Sequence, residues 1–451
     1  MKPSMNAARP ARLCLCLSLL CLALTWQGPA WLKALQPRTY YEWRFLADFF
    51  QEWASARNYF GGLALYTSQE TTLPLYLGEY KSPGDTIFTA VNAHPPSSVL
   101  IALPFGKLDY AEAFLLWNAV SLVLLGGSIW IVLHNLDIAC SPEAGFLVLS
   151  LLLCCHPLLS HMQQGQLGIV VLFLITLCWA CDRSDRYWLA GIALGIATAI
   201  KLFPGFLFLP FLLRRRWKTV FSGAATLAGV IGLTAGVFGT DTYREYVCDV
   251  LPIVQQYAGA GHNLSFAGMW YKLLMPLPHW MPVEFTVASS HPVASTFGYL
   301  LASGIVVAFL FVVVVRSRTD GDLCFAASTV AMLLIAPIVW DHYLLLLVMP
   351  VALVWRRLPR SGPAWPMFLF AIAVLCVEPS LVMQHCLILM GAPRAANGNW
   401  LATPLDTVTA LSVPSYAVAW LFALLGCLAW QQARRQVPPE GSTTSDACCL
   451  N

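Results

Sequence analysis

Charged side chains are scarce in this chain. Of its 451 residues only 11% are Asp, Glu, Lys or Arg, whereas 58% are hydrophobic and the mean hydropathy is +0.66. A soluble domain of this composition would expose too much apolar surface to water, so a soluble protein is excluded. The net charge of +3 is also too small to indicate a nucleic-acid partner.

The patterns of two common kinds of site are also missing. There is no Gly-rich phosphate loop. The short basic loops between the apolar runs, which are described below, also leave no room for a cytoplasmic nucleotide-binding domain, so ATP hydrolysis is not expected. Most of the 15 cysteines lie inside apolar runs, and none has a His at metal-ligand spacing. We therefore expect no metal and no cofactor, and we interpret the cysteines as packing residues.

Long apolar runs dominate the chain instead. They are continuous rather than alternating, which predicts membrane-spanning helices. We expect an all-α polytopic bundle of about 11 or 12 membrane helices. The predicted spans are 13–32, 110–134, 143–160, 166–181, 187–201, 202–213, 219–239, 293–315, 322–340, 343–355, 364–391 and 412–431. Since no small-residue cleavage site follows the first run, we interpret it as a retained helix rather than a signal peptide.

Basic residues orient these helices. With the N-terminus inside, sixteen of the 26 Lys and Arg residues fall in short inner loops, nine fall in outer segments, and Lys201 lies between. This bias predicts that both termini are cytoplasmic in a multi-pass protein of the plasma (inner) membrane. The prediction is one integral membrane domain, 1–431, with large outer segments at 33–109 and 240–292. A disordered cytoplasmic tail, 432–451, follows.

The first outer segment contains an amphipathic pattern. Leu46, Phe49, Phe50 and Trp53 are spaced i, i+3, i+4 and i+7, which predicts one apolar face of a helix. Its aromatic content is typical of helices that lie at the membrane interface.

The segment 187–213 is too short for its predicted path. It lies between two basic inner loops, yet two full crossings need about 40 residues. The hairpin therefore either has broken halves or turns inside the bilayer, with Lys201 and Pro204 at the turn. An ammonium at that depth costs at least about 2.5 kcal/mol. Lys201 is either a counter-charge for an anionic lipid head group or a structural partner of a carboxylate or carbonyls.

Five polar clusters fall on the outer side of this topology, although they are distant in sequence. A one-sided set predicts a single site at the outer mouth of the bundle. The clusters are Asp48, His94-Pro95-Pro96, Gln163–Gln166, His262-Asn263 and Trp340-Asp341-His342.

Asp48 is one candidate for a general base, because apolar neighbours raise the basicity of a carboxylate. The alternative is a surface ion pair with Arg44, four residues earlier. Glu52, Asp85 and Asp341 are rival carboxylates.

The other clusters also allow two interpretations each. His94 and its prolines either form a site or begin a helix rigidly. The amides of Gln163–Gln166 either hold sugar hydroxyls or cap a helix. Asn263 begins a pattern that matches the N-glycosylation sequon. His342, beside Asp341, is a candidate to relay a proton or to bind phosphate, whereas a Trp such as Trp340 is usual at a membrane interface.

Taken in order, these motifs resemble the family-87 glycosyltransferases, integral membrane enzymes of the GT-C architecture. The resemblance covers most of the chain, although the Arg that often follows the Asn-x-Ser is not clear. Lys272 lies in that region. The matching residues are Asp48-Phe49 with Gly61–Tyr66, His94-Pro95-Pro96, Gly165-Gln166, Gly191, Gly195, Lys201, Pro204, Asn263-Leu264-Ser265, and Trp340 with His342-Tyr343.

This resemblance implies transfer of a hexose, mannose as a guess, from a polyprenyl-phosphate donor to a lipid or glycan hydroxyl on the extracytoplasmic face. It implies inversion at the sugar carbon and an Asp general base. The roles it implies are catalytic for Asp48 and His342, donor-phosphate binding for Lys201 and His94, and sugar or acceptor binding for Gln166, Asn263, His262 and Asp341.

Two other functions remain open. A transporter or lipid flippase also uses a buried Lys and a broken hairpin, but it predicts functional polar residues at both faces. A scaffold subunit of a cell-envelope complex would not need Lys201.

Overall fold

The computed structural model describes residues 8–37, 47–78, 91–139, 141–276, 282–286, 290–317 and 320–435. The α-helices are α1 Ala8–Ala34, α2 Phe49–Gly61, α3 Gln69–Leu77, α4 Pro96–Ala102, α5 Tyr110–Asn135, α6 Pro142–Leu153, α7 His156–Gln164, α8 Gly168–Arg183, α9 Tyr187–Ile200, α10 Phe208–Leu213, α11 Trp217–Phe238, α12 Asp241–Glu245, α13 Leu251–Gln255, α14 Met269–Leu274, α15 Pro292–Arg316, α16 Gly321–Ile335, α17 Val348–Arg357, α18 Ala364–Cys376, α19 Pro379–Leu389, α20 Pro404–Val408 and α21 Val413–Arg435.

Short segments complete the fold. Within the described ranges, the two strands β1 (Val283–Phe285) and β2 (Trp400–Ala402) pair in parallel and join the second outer segment to the chain before α20. A π-helical turn covers Tyr246–Val250. The 3-10 helices are Phe105–Lys107, Phe203–Leu207, Gln256–Gly259, Asp341–Leu347 and Ala410–Ser412.

The all-α polytopic class is confirmed, but fewer helices are long enough to span a membrane than the sequence predicts. Among the described residues five stretches qualify, namely most of α1, α5, α11, α15 and the run from α20 to α21. Two bent pairs, α6 with α7 at 60° and α18 with α19 at 112°, raise the number to seven. Pro157 and Pro379 stand in the first turn of the second helix of each pair, where a proline cannot continue the preceding helix.

The predicted break in the 187–213 hairpin is confirmed. The first half is α9, whose 14 residues span about 21 Å. The backbone becomes extended at Lys201 and continues as the 3-10 helix Phe203–Leu207 before α10. Both halves are therefore short, and Lys201 lies at the point where the helix ends.

Small residues fix the direction of α9. A Cβ on Gly191 would lie 1.9 Å from Ser222 Oγ, and one on Gly195 would lie 2.5 Å from the carbonyl oxygen of Gly223. The backbones of α9 and α11 therefore approach closely, as at other small-residue interfaces between membrane helices. This packing determines where Lys201 emerges.

The aromatic face of α2 is buried in protein, which differs from the predicted location at the membrane interface. Phe49, Phe50 and Trp53 are at most 1% exposed. The Phe49 ring lies 5.3 Å from Trp117 of α5, so its apolar face packs against other aromatic rings. Leu46, the remaining residue of the predicted face, lies outside the described residues.

Arginines and aspartates form an ion-pair network where α8, α10 and α17 end and α11 and α16 begin. Arg214 Nη1 lies 3.0 Å from Asp182 Oδ2, and Arg357 Nη2 lies 3.0 Å from Asp322 Oδ2. We call this region the arginine end. It comprises Asp182, Arg183, Arg214, Arg216, Asp320, Asp322 and Arg357.

The last helix extends beyond its predicted end. It continues to Arg435, four residues into the predicted tail, and the rest of that tail lies outside the described residues.

Candidate active site

A cleft opens at the other end of the same helices. The helix α8 begins near the cleft, just after Gln166, and finishes at the arginine end with Asp182 and Arg183. The cleft encloses about 690 Å³ of space, including its open mouth. We call this region the cleft end, and we include in it the hydrogen-bonded side chains of Asp48, Gln166 and Lys201, which are described below. The lining residues are Asp48, His156, Ser160, Gln163, Gln164, His262, Trp340, Asp341, His342, Glu378, Pro379 and Ser380.

Asp48 stands at the N-terminus of α2 and is half-buried, but its side chain does not cap that helix. Its Oδ1 accepts a hydrogen bond from Gln51 Nε2 at 3.3 Å, and its Oδ2 accepts one from Gln166 Nε2. Both partners are neutral amides, so neither cancels the charge of the carboxylate. Arg44, the alternative partner, lies outside the described residues.

Lys201 is only 3% exposed. Its ammonium donates to Gln166 Oε1 at 3.1 Å and to the Tyr343 hydroxyl at 3.2 Å, and it lies 4.4 Å from the centre of the Tyr343 ring. An ammonium has three donors, and these two bonds use two of them. Both hydrogen-bond partners are neutral, so the positive charge remains available to an anion.

Gln166 connects the two charged groups. Its amide nitrogen donates to the negatively charged Asp48, while its amide oxygen accepts from the positively charged Lys201. The donor thus faces the anion and the acceptor faces the cation. One side chain therefore joins Asp48 and Lys201, to which the family resemblance gives roles in the same reaction.

A glycine permits this contact. Gly165 ends α7 with φ of +61°, a left-handed conformation that favours glycine. A Cβ at this position would lie 2.6 Å from the Cβ of Phe49. Since Phe49 follows Asp48, the close approach at Gly165 is what brings Gln166 to the carboxylate.

Two histidines hold the carboxylate of Asp341 in the cleft. His156 Nε2 lies 2.9 Å from Oδ2, and His342 Nδ1 lies 3.3 Å from Oδ1. Burial acts to raise the pKa of Asp341, but the hydrogen bonds that His156 and His342 make to it outweigh burial and keep the pKa below its usual range. Asp341 therefore remains an anion, with both oxygens in use.

His342 lies close enough to Asp48 and Lys201 for both charges to affect its pKa. Burial lowers its pKa and Lys201 adds to that effect, whereas Asp341 and Asp48 oppose it. In the neutral ring, an Nδ1–H that faces Asp341 leaves Nε2 as an acceptor. This buried Nε2 has no hydrogen-bond partner among the described residues.

The second outer segment also reaches the site. His262 lines the cleft together with Asp48. Burial, with a further contribution from the charge of Asp48, raises the pKa of Tyr257 to about 12. Residues of four of the five predicted clusters thus converge at the cleft, and the cluster of His94 is the exception.

His94 is not among the described residues that line the cleft. Its Nδ1 lies 2.6 Å from Glu52 Oε1, and the Ser98 hydroxyl donates to Glu52 Oε2 at 2.9 Å. Glu52 is 2% exposed and has both oxygens in use. Glu52, a rival of Asp48 for the role of general base, therefore pairs with His94, the predicted phosphate ligand. Asp85, another rival carboxylate, lies outside the described residues.

Asn263 is fully buried and satisfied within the protein. Its Nδ2 donates to the carbonyls of Ala258 at 2.9 Å and Pro337 at 2.7 Å. Its Oδ1 accepts from the backbone of Ser265 at 2.9 Å and Val339 at 3.1 Å. All four hydrogen-bonding positions are occupied. We therefore replace its predicted sugar contact with a structural role, in which it holds the second outer segment to the chain before the Asp341 turn.

Five lining residues of the cleft were missed by the sequence analysis. All lie inside the predicted spans 143–160 and 364–391, which were interpreted as continuous, and they are His156, Ser160, Glu378, Pro379 and Ser380. The available signal was the proline that follows His156 and Glu378, since a proline within an apolar run marks a helix boundary.

Comparison with known sequences identifies the family. The family profile described as "Glycosyltransferase family 87" matches residues 92–340, which is more than half of the chain. The chain belongs to glycosyltransferase family 87. The matched region includes Gln166, Lys201 and His262 of the cleft end, whereas Asp48 precedes it and Asp341 and His342 follow it.

Curated relatives of this family-87 chain are mycobacterial. A "Polyprenol-phosphate-mannose-dependent alpha-(1-2)-phosphatidylinositol pentamannoside mannosyltransferase" of Mycolicibacterium smegmatis is 28% identical over 177 residues, 39% of this chain and 42% of the relative. A "Polyprenol-phosphate-mannose-dependent alpha-(1-2)-phosphatidylinositol mannoside mannosyltransferase" of Mycobacterium tuberculosis is 25% identical over 285 residues, 58% of this chain and 62% of the relative. Both alignments therefore cover less than two thirds of the relatives.

Proposed function

We propose that this chain is a membrane glycosyltransferase that moves a hexose, with mannose the first choice, from a polyprenyl-phosphate donor to a hydroxyl of a lipid or glycan. The observation that carries this proposal is the chain Asp48–Gln166–Lys201, which joins a carboxylate to a cation within one site. The names of the mycobacterial relatives support this choice of donor and sugar.

The donor phosphate binds at Lys201. The remaining N–H of the ammonium meets a phosphate oxygen, and charge-assisted bonds of this kind are about twice as strong as neutral ones. The rings of Phe203 and Tyr343 stack 5.3 Å apart beside the ammonium and offer an apolar surface to the first carbons of the polyprenyl chain. Lys201 then stabilises the negative charge that develops on the phosphate as the sugar leaves.

Asp48 takes the proton of the acceptor hydroxyl. A phosphate leaves without being protonated, so the second carboxylate that glycoside hydrolysis requires is not needed. One base and one displacement suffice, and the displacement inverts the sugar carbon. The reaction as proposed uses no metal and no cofactor.

The acceptor sugar binds in the cleft. Carboxylates, amides and hydroxyls such as Asp341, Gln164 and Ser160 are suited to sugar hydroxyls. His262 and the unpartnered Nε2 of His342 add two further contacts, and as an acceptor this Nε2 receives a hydrogen bond from the incoming hydroxyl. The neutral His342 thus orients the acceptor, and on protonation it would assist Lys201 at the phosphate.

We place the cleft end on the extracytoplasmic side of the plasma membrane and both termini in the cytoplasm. The excess of Lys and Arg in the loops at the arginine end supports this orientation.

The test is an assay of purified protein in detergent with labelled polyprenyl-phosphate mannose, labelled polyprenyl-phosphate glucose and a lipid extract. We expect a labelled lipid product by chromatography. An Asp109→Asn variant, altered at an exposed carboxylate that makes no capping bond, should match the wild type. Absence of product, together with movement of labelled lipid across a liposome bilayer, would replace the proposal with a flippase.

A further inference from the structure

Glu378 is a carboxylate of the cleft wall that the proposed reaction does not use. It lies in the 112° break between α18 and α19 and directly precedes α19, but its side chain does not cap that helix. Its backbone carbonyl oxygen instead accepts a hydrogen bond from the backbone N–H of Leu381 at 3.1 Å. The side chain is half-buried and lines the same cleft as Asp48 and His262.

The carboxylate of Glu378 is only partly satisfied within the protein. The hydroxyl of Ser380 donates to Oε1, whereas Oε2 has no hydrogen-bond or ion-pair partner among the described residues. Asp341 differs, because each of its two oxygens faces a histidine. An ionised carboxylate accepts hydrogen bonds and cannot donate them. Glu378 therefore has an oxygen that is available to a donor from a ligand.

The wall of the cleft is acidic as a whole. Three of its lining residues, Asp48, Asp341 and Glu378, are carboxylates, and none of the described lining residues is Lys or Arg. The ammonium of Lys201 does not line the cleft and is joined to Asp48 through Gln166. A sugar hydroxyl can donate to such a wall, whereas a phosphate beside Glu378 would meet like charge with no cation to offset it.

A second, independent feature indicates which atoms of a ligand enter the cleft. His342 is 4% exposed, and its Nε2 has no hydrogen-bond partner among the described residues. With Nδ1–H facing Asp341, this Nε2 accepts a hydrogen bond and does not donate one. The cleft therefore presents two acceptors without donors, Nε2 of His342 and Oε2 of Glu378. Sugar hydroxyls supply such donors, and an ionised phosphate does not.

We propose that Glu378 is a specificity-determining residue, which binds a hydroxyl of an uncharged acceptor sugar and rejects a sugar that carries a phosphate. This inference rests on the proposed transferase function, which assigns the cleft to the acceptor. Ser380 is a positioning residue, because its hydroxyl holds Oε1 and so fixes the direction of the carboxylate. No bond forms or breaks at Glu378, so its effect is on the KM for the acceptor and not on kcat.

The test measures sugar binding and transfer separately in full-length protein in detergent. Saturation-transfer NMR gives the dissociation constants of methyl α-mannoside, methyl α-glucoside and their 6-phosphates. We expect the wild type to bind one of the neutral sugars at least tenfold more tightly than its 6-phosphate. Glu378→Gln should weaken binding of that neutral sugar about tenfold and reduce the discrimination, because a hydrogen bond to a charged group is lost.

Two further variants sharpen the measurement. Ser380→Ala should weaken binding of the neutral sugar less than Glu378→Gln does, about threefold, because the carboxylate remains but is less well held. Glu112→Gln is the matched control, since Glu112 is exposed in the first turn of α5, and it should bind as the wild type does. In the transfer assay with the lipid extract, Glu378→Gln should raise the KM for the acceptor about tenfold and leave kcat within twofold.

The wild-type protein alone can overturn the inference, so the test does not depend on whether a variant folds. Equal affinity for the neutral sugars and their 6-phosphates, or no binding of any of the four, would contradict it. Unchanged affinity in a folded Glu378→Gln would also do so. A wild type that makes the labelled lipid but does not discriminate would refute the inference and keep the transferase. One that discriminates but makes no labelled lipid would refute the transferase instead.

Discussion

The two ends of the helical bundle use charged residues in different ways. At the arginine end each charged group of the network meets an opposite charge directly, as Arg214 and Asp182 do at 3.0 Å. At the cleft end Asp48 and Lys201 have opposite charges but contact a neutral amide placed between them. One set of charges is saturated within the protein, and the other remains available.

This difference separates charged groups that stabilise the fold from charged groups that are available to a substrate. Partly buried ion pairs that are satisfied by one another hold helix ends together, and breaking one leaves an unpaired charge. Charges that are separated by an amide retain the capacity to bind a phosphate or to accept a proton. The same contrast disfavours a transporter, which would require available polar groups at both ends.

The largest difference is expected from one substitution made at each end. Asp48→Asn should reduce turnover by about 10²–10⁴-fold, because an amide cannot take the acceptor proton, while donor binding remains. Asp320→Asn at the arginine end should reduce stability through its lost contact with Arg357, but not the turnover of folded enzyme. Rates normalised to active protein and titration with labelled donor would measure both. Equal loss of turnover in the two variants would contradict the separation.

Lys201→Gln should mainly affect donor binding. Loss of a charged hydrogen bond costs about 1.5–3 kcal/mol, which corresponds to roughly a 10- to 150-fold increase in the dissociation constant. Lys218→Gln is the matched control, since Lys218 is exposed. Competition binding with a polyprenyl phosphate would measure the effect. Unchanged affinity in Lys201→Gln would place the phosphate elsewhere.

Gly165→Ala tests how the site is assembled. The added methyl group would press on Phe49 and force an unfavourable backbone conformation, so Gln166 should move away from Asp48. We expect turnover to fall about tenfold, less than a full displacement of the base would cause. Gly145→Ala, where nothing lies within 4 Å of the new Cβ, should be silent. Normal turnover in Gly165→Ala would show that the close approach is not needed.

The smallest effect concerns a second buried lysine. Lys272 donates to the carbonyls of Asn263 at 2.9 Å and Leu411 at 3.3 Å, and complete burial lowers its pKa from 10.5 to about 7. Between these values the unfolded state binds one proton more than the folded state, so stability rises with pH. Below about pH 7 both states are protonated and this contribution is constant.

Lys272→Met removes that contribution. The difference in thermal midpoint, wild type minus variant, should therefore increase between pH 7 and pH 9. A difference that stays constant over this range would mean that the buried amine is not titrating there.

The sequence predicted the helical class and much of the site, because both depend on local signals. Apolar runs identify helices, and the position of polar residues at the ends of those runs predicted that Asp48, Gln166 and His342 belong to one site. The break at Lys201 was predictable from the two flanking basic loops and the length between them, since 27 residues cannot cross a membrane twice.

Other features depend on partners that a single sequence does not show. The face of α2 has a composition that suits both a membrane interface and a protein core, and the rings of α5 decide between them. The amide of Asn263 would suit sugar binding, but four backbone groups occupy it, and two of them come from the distant residues Pro337 and Val339. The bends before Pro157 and Pro379 had a local signal, but the apolar character of the runs concealed it.

The central claim is that the available charges of the cleft end bind the donor. A cryo-EM structure with a non-transferable polyprenyl-phosphate sugar analogue would test it most directly. We expect the phosphate about 2.7–2.9 Å from Lys201 Nζ, with the sugar facing Asp48. Phosphate density among Arg214, Arg215 and Arg216, with Lys201 unchanged, would contradict the account.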